Sequence, residues 1–295
     1  MRSRLRAATA LLLLALVPGR ALALPAEADR NHDGRVVIAC LGDSNTDPSW
    51  QQAIDHGFPG GRGWCEQLGE RFDDPRVAVV NLGIGGATAI DHVLPESLEA
   101  RVLFGGASQL EFVLEKVPAD VVIFAFGTND LLPEHDATPS LVVATYERLW
   151  RRASSRGMLA LVATTPGVLE HKRKKKIRRN QEGIAETNRL LREAFPSRHL
   201  LRFDEILSDE DYLDDLHMNG SGQQKRADEA YARIIDLLAA TPVNAGVRAL
   251  EWKNGHWIEP EPRQVPPAQR PPVKSFRTKP KPHEGEALTA ERDPW

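Results

Sequence analysis

The sequence predicts an α/β protein built as a three-layer α/β/α sandwich around a central, mostly parallel sheet of five strands. Two observations support this prediction. Short apolar runs rich in valine, isoleucine and phenylalanine alternate along the chain with longer amphipathic stretches, as strands and helices alternate in parallel sheets. The apolar runs are also continuous, which indicates strands that helices cover on both faces.

The elements of this fold follow one another between residues 35 and 240, which we predict to form a single domain. The predicted strands are residues 35–41, 77–83, 120–127, 158–165 and 199–204. The predicted helices are residues 64–72, 108–117, 140–155, 180–195 and 222–238. Ligands of such sheets bind beyond the carboxyl ends of the strands, so the segments after each strand are where a site is expected.

The first residues are typical of a secretory signal peptide, which we assign to residues 1–23. Three arginines stand among the first six residues, an apolar stretch covers residues 7–17, and the small-x-small pattern of a signal peptidase site lies at residues 21–23. A membrane anchor is the alternative, but about 20 apolar residues are needed to span a bilayer. We therefore expect an exported protein, periplasmic or extracellular, in which residues 24–34 form a linker to the domain.

Composition excludes some functions. The formal charge is −3, and removal of the four arginines of the signal segment makes the remaining chain more acidic still. An acidic chain argues against a general nucleic-acid binder, so no nucleic-acid partner is expected. Export would permit a disulfide between the two cysteines, Cys40 and Cys65, but two cysteines are not a disulfide framework, and we expect free thiols.

The chain changes character after residue 240. Residues 241–259 are predicted to form a β-hairpin, because Asn254 and Gly255 suit a two-residue turn with Trp252 and Trp257 on either side. The two tryptophans could form a platform that stacks on sugars, although cross-strand packing is the simpler interpretation. Residues 260–295 are rich in proline and charge, so a disordered or extended tail is expected.

Polar clusters follow three of the strands and precede the last helix. They are Gly42-Asp43-Ser44-Asn45, residues 81–88, Gly127-Thr128-Asn129-Asp130 and Asp214-Asp215-Leu216-His217. Ester hydrolysis by a serine needs a base, a group that orients the base, and donors that face the developing oxyanion. A histidine is suited to general-base work near neutral pH, and glycines let backbone N–H groups approach a substrate closely.

These four blocks, in this order, resemble the SGNH (GDSL-type) hydrolases over roughly residues 35–238. The resemblance implies a flavodoxin-like three-layer fold, with Ser44 as nucleophile, His217 as general base and Asp214 as the carboxylate that orients it. It also implies an oxyanion hole made by the backbone N–H groups of Ser44 and Gly86 and the side-chain amide of Asn129.

Two positions depart from the family pattern. Asn45 stands where the family name implies a leucine, so it could reach the pocket or cap a helix. Asp215 follows Asp214 where a glycine is common, which leaves Asp215 as an alternative orienting carboxylate.

Two further motifs are weighed against simpler interpretations. Residues 29–35 resemble the start of a calcium loop, but Cys40 stands where the loop would need a bidentate glutamate, so we expect a turn and predict no metal or cofactor. The basic run Lys172–Arg179 could hold an anionic polymer or a membrane surface, or could simply be solvated.

The function expected is therefore that of an exported serine esterase that cleaves short-acyl or carbohydrate O-acetyl esters through an acyl-enzyme on Ser44. The alternatives are an O-acyltransferase that modifies an envelope polysaccharide, and a lysophospholipase or thioesterase. A non-catalytic envelope-binding module is a third alternative, but binding alone does not require a serine, a histidine and an aspartate in this order.

Overall fold

A computed structural model describes the chain over residues 24–47, 63–91, 105–169, 180–240, 251–253 and 256–258. The predicted signal peptide, the basic run and the proline-rich tail lie outside the described residues. None of the helices in the described ranges has the length and apolar composition needed to cross a membrane.

The centre of the fold is a five-stranded sheet in the order β2-β1-β3-β4-β5, in which all neighbouring strands are parallel. Its strands are β1 (Val36–Gly42), β2 (Val77–Asn81), β3 (Val121–Ala125), β4 (Leu159–Ala163) and β5 (Leu200–Leu201). The order places β1 and β3 side by side, with Gly42 opposite Ala125 at their carboxyl ends. The segments that follow these two strands therefore begin next to each other.

Helices cover both faces of the sheet. They are α1 (Trp64–Arg71), α2 (Gly106–Lys116), α3 (Pro139–Ser155), α4 (Gln181–Ala194), α5 (Phe203–Ile206) and α6 (Gly220–Ala240). One apolar core joins the sheet to α2, α3 and α4, and a second joins its other face to α1 and α6. Alternate residues of β1 enter the two cores, as the two-residue period of a strand requires. The three-layer α/β/α prediction is confirmed.

Local chemistry explains where the longer helices begin. Thr138 caps α3 by accepting the N–H of Leu141 at 3.3 Å, and Pro139 occupies the first helical position, where no N–H is needed. Asn180 caps α4 by accepting the N–H of Gly183 at 2.8 Å.

The prediction of a fifth strand over residues 199–204 is wrong for most of that length. Only Leu200 and Leu201 pair with β4, and the chain turns into helix α5 at Phe203. The side chain of Asp204 accepts the hydroxyl of Thr164 at 2.6 Å and the amide of Asn188 at 3.0 Å, which holds this segment in a turn. Only two residues of β5 pair with β4, so little sheet hydrogen bonding opposes the turn.

The segment predicted as a linker, residues 24–34, is packed against the domain. Leu24 and Ala28 are buried in the second core. The carboxylate of Asp120, which is fully buried, accepts the N–H groups of Arg30 at 2.7 Å and Asn31 at 3.2 Å. Further along, strands β6 (Glu251–Lys253) and β7 (His256–Ile258) form an antiparallel pair with Trp252 opposite Trp257.

Candidate active site

The turn after β1 carries Ser44. The carbonyl of Asp43 accepts the N–H groups of Thr46 and Asp47, both at 2.9 Å. The carboxylate of Asp43 accepts the N–H of Asn45 at 2.9 Å. These three bonds fix the backbone around Ser44, whose surface is 7% exposed. A serine that must react reproducibly needs a turn that is rigid in this way.

Gly42 is required by the tightness of this turn. A Cβ atom at this position would lie 2.3 Å from the hydroxyl oxygen of Thr46 and 2.7 Å from the carbonyl oxygen of Ala125. Both neighbours belong to the end of the sheet or to the turn itself, so neither can move without shifting the serine. The glycine of the Gly-Asp-Ser block is thus explained by close packing.

The loop before α6 brings an aspartate and a histidine together. The side chains of Asp214 and His217 are joined by a hydrogen bond of 2.9 Å from Nδ1 to Oδ2. The other carboxylate oxygen of Asp214 accepts the N–H groups of Leu216 at 2.8 Å and His217 at 2.6 Å. Burial opposes the charge on Asp214, but the hydrogen bonds from His217 and Leu216 outweigh burial and lower the pKa of Asp214 to about 2. Asp214 is therefore an anion that holds the imidazole.

The histidine also reaches the serine. The distance from Nε2 of His217 to Oγ of Ser44 is 3.1 Å, and both side chains are buried. With the Nδ1 hydrogen donated to Asp214, Nε2 carries a lone pair that can accept the hydroxyl proton. Ser44, His217 and Asp214 thus form one continuous hydrogen-bonded chain, although 173 residues separate the serine from the histidine.

Asp215, the alternative orienting carboxylate, has a different contact. Its backbone carbonyl accepts the N–H of Leu169 at 2.9 Å. This bond joins the loop that carries Asp214 and His217, called the histidine loop below, to the segment after β4. The carboxylate bonded to the imidazole belongs to Asp214.

The two predicted oxyanion donors outside the turn lie on adjoining segments. Gly86 has a φ of +81°, and a Cβ atom there would meet nothing within 4 Å among the described residues, so its backbone faces open space. The side-chain amide of Asn129 donates to the carbonyl of Ala87 at 2.9 Å. This bond fixes the orientation of the amide and joins Asn129 to the residue after Gly86.

The segment that contains Gly86 is tied to the serine turn by two polar side chains. Asn81 donates its amide to the carbonyl of Thr46 at 2.6 Å. Asp47 accepts the N–H of Gly85 at 2.7 Å. All of the residues predicted for catalysis are therefore carried on segments that hydrogen bonds hold at the same edge of the sheet.

A sequence model of the GDSL-like Lipase/Acylhydrolase family matches residues 40–225, from the end of β1 to the first turns of α6. That span is more than half of the chain and includes every element of the site. The chain belongs to the GDSL-like lipase/acylhydrolase family. It is a carboxylic ester hydrolase, as the prediction had it.

Solved structures share the fold of this GDSL-like hydrolase. A candidate arylesterase from Agrobacterium tumefaciens str. C58 is 22% identical with a TM-score of 0.55, over 68% of this chain and 99% of that one. A member of a carbohydrate acetylesterase family from Sinorhizobium meliloti is 16% identical with a TM-score of 0.55, over 69% and 99%. The M. smegmatis aryl esterase is 19% identical with a TM-score of 0.51, over 68% and 99%. No curated protein matches the chain.

Asp130 has a role in this hydrolase that the sequence prediction missed. Its carboxylate accepts the N–H groups of Ala89 and Ile90, both at 2.9 Å, and so holds the segment after Gly86. Burial raises the pKa of Asp130 to about 6, the two hydrogen bonds oppose the rise, and the charge of Asp43 adds to it. The signal available in the sequence was the aspartate that ends the Gly-x-Asn-Asp block.

Asp211 supports the histidine loop of the hydrolase. Its buried carboxylate accepts the ammonium group of Lys225 at 2.6 Å and the hydroxyls of Ser208 and Ser221, each at 2.9 Å. Burial opposes its charge, but these bonds outweigh burial and lower its pKa to about 2. Asp211 therefore pins both ends of the loop that carries Asp214 and His217. Asp211 stands among several acidic residues, and nothing in that pattern distinguishes it.

The calcium-like segment is a turn in the structure. The carboxylate of Asp29 accepts the N–H groups of Asp33 at 3.1 Å and Gly34 at 2.9 Å. In the described part of the chain, no group of three or more histidine, cysteine, aspartate and glutamate side chains is arranged to hold a metal ion. The two cysteines are free and buried. Burial and the neighbouring thiol of Cys40 raise the pKa of the Cys65 thiol.

Proposed function

We propose that this hydrolase is an exported serine esterase that cleaves short-acyl or carbohydrate O-acetyl esters through an acyl-enzyme on Ser44. The observation that carries the proposal is the continuous chain from the serine hydroxyl through His217 to Asp214, with contacts of 3.1 Å and 2.9 Å. A hydroxyl bonded to a neutral imidazole, which is in turn held by an anion, is the arrangement that makes serine a nucleophile.

In the first half of the reaction, His217 Nε2 takes the hydroxyl proton while Oγ of Ser44 attacks the ester carbonyl carbon. A tetrahedral intermediate forms, and the imidazolium that results is stabilised by Asp214. The imidazolium then protonates the leaving alkoxide as the carbon–oxygen bond breaks, which leaves the acyl group on Ser44. In the second half, water replaces the alcohol: His217 takes a proton from water as the oxygen of that water attacks the acyl carbon, which forms a second tetrahedral intermediate. The bond between that carbon and Oγ of Ser44 then breaks, the imidazolium returns the proton to Oγ, and the carboxylic acid leaves.

The oxyanion of both intermediates would be stabilised by the N–H groups of Ser44 and Gly86 and by the amide of Asn129. Each donor of this kind typically contributes about 100- to 1,000-fold to kcat. Two features favour this assignment: the left-handed, open backbone at Gly86 and the fixed amide of Asn129. Asp130 and Asp47 hold the segment that carries Gly86, so the donors are set before substrate arrives.

A small acyl group is favoured by the name of one structural relative. That relative is named as a carbohydrate acetylesterase family member, and the other two structures are named as aryl esterases. Export is supported by the pattern of residues 1–23, an N-terminal charge followed by an apolar stretch and small residues.

The proposal also includes binding of an anionic substrate or surface by the basic run. Leu169 stands three residues before the basic run, and its N–H donates to the carbonyl of Asp215, next to Asp214. The run Lys172–Arg179 therefore begins, in sequence, close to a residue that contacts the loop carrying Asp214 and His217. A dense positive charge so near the site in sequence would favour an acylated polymer that carries negative charge.

A panel of p-nitrophenyl esters from acetate to long-chain acyl groups tests this function. The wild type should hydrolyse the acetate most efficiently, and Ser44→Ala should lose the activity. Ser155→Ala, which changes an exposed serine at the end of α3, is the matched control and should retain it. Turnover restricted to long acyl chains would contradict the short-acyl proposal, and O-acylated glycan formed from an acyl donor would indicate transfer instead of hydrolysis.

A further inference from the structure

Arg226 on α6 is an arginine inside the apolar core. It is only 1% exposed, and its guanidinium lies 4.5 Å from the ring centre of Phe203 and 5.3 Å from that of Trp64. Burial lowers its pKa to about 10, and the charge of Asp43 opposes that shift, so Arg226 is a cation at neutral pH. Removing a cation from water is costly, and a neutral apolar side chain would fill the same space without that cost.

The contacts of Arg226 converge on the serine turn. Its Nη1 atom donates to the backbone carbonyl of Asn45 at 2.7 Å and to the side-chain oxygen of Gln223 at 3.1 Å. The same oxygen of Gln223 accepts the N–H of Trp64 at 3.3 Å. The indole of Trp64 in turn donates to the hydroxyl of Thr46 at 3.3 Å. Arg226, Gln223 and Trp64 therefore form one hydrogen-bonded group that contacts the serine turn from the side of the core.

The position of Arg226 in the chain makes this contact informative. Helix α6 begins at Gly220, immediately after the loop that carries His217. Asn45 directly follows Ser44. A rigid helix that begins beside the base is thus bonded to the residue next to the nucleophile, across 181 residues of sequence.

Asn45 takes part through its backbone. Its side-chain oxygen and nitrogen are buried and have no hydrogen-bond partner among the described residues. Its N–H is bonded to its neighbour Asp43, and its carbonyl is bonded to Arg226. Asn45 therefore joins the turn to α6 through a hydrogen bond. The group that accepts this bond is its backbone carbonyl, which any residue at this position would also have.

We propose that Arg226 is a positioning residue, which sets the separation of Ser44 and His217 by bonding the carbonyl of Asn45 from within the core. The proposal rests on the proposed function of Ser44 as the nucleophile. Arg226 is buried in the core, so its loss should slow attack by the serine without weakening substrate binding. A displacement of about 1 Å between reacting groups commonly costs about 100-fold in rate.

Arg226→Lys is the test variant, because it keeps the cation near Asp43 but loses the planar fork that reaches Asn45. Arg233→Lys is the matched control: it makes the same change on the same helix, at a residue whose guanidinium pairs with Glu229 at 3.1 Å. We expect Arg226→Lys to lower kcat about 10- to 100-fold with KM changed less than twofold. Arg233→Lys should keep both within twofold of the wild type.

Labelling with a fluorophosphonate separates positioning from folding. Its rate measures the reactivity of Ser44, and its end point measures the fraction of folded protein. Arg226→Lys should label as completely as the control but more slowly, by the same factor as kcat. Arg226→Met, which fills the core but has no hydrogen-bond donor, should also label completely and more slowly than the control. Each labelling rate is divided by the fraction of protein that is labelled at the end point.

Three results would overturn the proposal. One is a labelling rate for both variants within twofold of the control. Another is a loss of activity that is fully explained by a lower end point of labelling, with the labelling rate of the folded protein unchanged. The third is the absence of labelled protein from either variant, which would make Arg226 a residue of folding. A wild type that is neither labelled nor active would instead contradict the proposed function itself, before any variant is compared.

Discussion

Replacement of Asp214 by asparagine isolates the part played by the orienting carboxylate. One oxygen of Asp214 accepts two backbone N–H groups, at 2.6 and 2.8 Å, while the other accepts Nδ1–H of His217 at 2.9 Å. In Asp214→Asn the amide oxygen must stay on the backbone N–H groups, because an NH₂ group there would face two donors. The NH₂ group then faces Nδ1, which must accept. The proton of the imidazole is thereby moved to Nε2, and Nε2 can no longer take the proton of Ser44.

The size of the effect follows from this change of tautomer. A triad with the wrong tautomer but intact geometry loses about 10⁴-fold in kcat, which corresponds to about 5 kcal/mol of transition-state stabilisation. KM should change little, because the substrate does not contact Asp214. The assay is the steady-state hydrolysis of p-nitrophenyl acetate at neutral pH, with the thermal midpoint measured alongside to show that the variant is folded.

Asp215→Asn is the control, since it makes the same chemical change one residue along. Asp215 contributes its backbone carbonyl to Leu169, and the substitution leaves that carbonyl in place. Its kcat should stay within about twofold of the wild type. If Asp215→Asn lost activity while Asp214→Asn kept it, the assignment of the orienting carboxylate would be refuted.

Three further outcomes are expected. Gly42→Ala should lower the free energy of unfolding by about 1–3 kcal/mol or more in a urea titration, since its Cβ would lie 2.3 Å from the hydroxyl of Thr46; a stable, active variant would contradict the close packing. The folded-state pKa of Asp130 is raised from 3.8 to about 6, so the folded chain binds that proton more tightly than the unfolded chain. Its contribution to stability should therefore fall as pH rises through this window, and the stability difference between wild type and Asp130→Asn should change with pH there and level off above it; a constant difference would argue against the raised pKa. The thiols of Cys40 and Cys65 should react with Ellman's reagent only on unfolding, because both are buried; two thiols missing even in denaturant would indicate a disulfide.

The elements of the domain core could be predicted because their signals are local. Continuous apolar runs mark β1 to β4, and caps such as Thr138 and Asn180 mark where helices begin. The end of β5 could not be predicted in this way. The run at residues 199–204 resembles a strand, but Asp204 is drawn into a turn by Thr164 and Asn188, which belong to other elements.

The candidate site divides in the same way. Ser44, Asn129, Asp214 and His217 are carried by short motifs next to strand ends or before a helix, so their types and spacing indicated their places. Arg226 stands between Lys225 and Ala227 in a polar stretch that reads as an exposed helix face. Its burial depends on Trp64 and Phe203, which are brought there only by the folded chain.

The departure at Asn45 also has its explanation in tertiary contacts. The sequence suggested that its side chain would reach the pocket or cap a helix. In the structure that side chain is buried without a hydrogen-bond partner among the described residues, and the carbonyl of Asn45 is the group that matters, because it is bonded to Arg226. Sequence comparison of side chains cannot reveal a role that belongs to the backbone.

The most direct test of the central claim is the site of covalent modification by a fluorophosphonate, mapped by mass spectrometry of the digested protein. Attack by an activated serine should place one phosphonyl group on the peptide that contains Ser44. Ser44→Ala should remain unmodified, and Asp214→Asn should be modified far more slowly than the wild type. An unmodified Ser44 in folded wild type, or a label that persists in Ser44→Ala, would contradict the account.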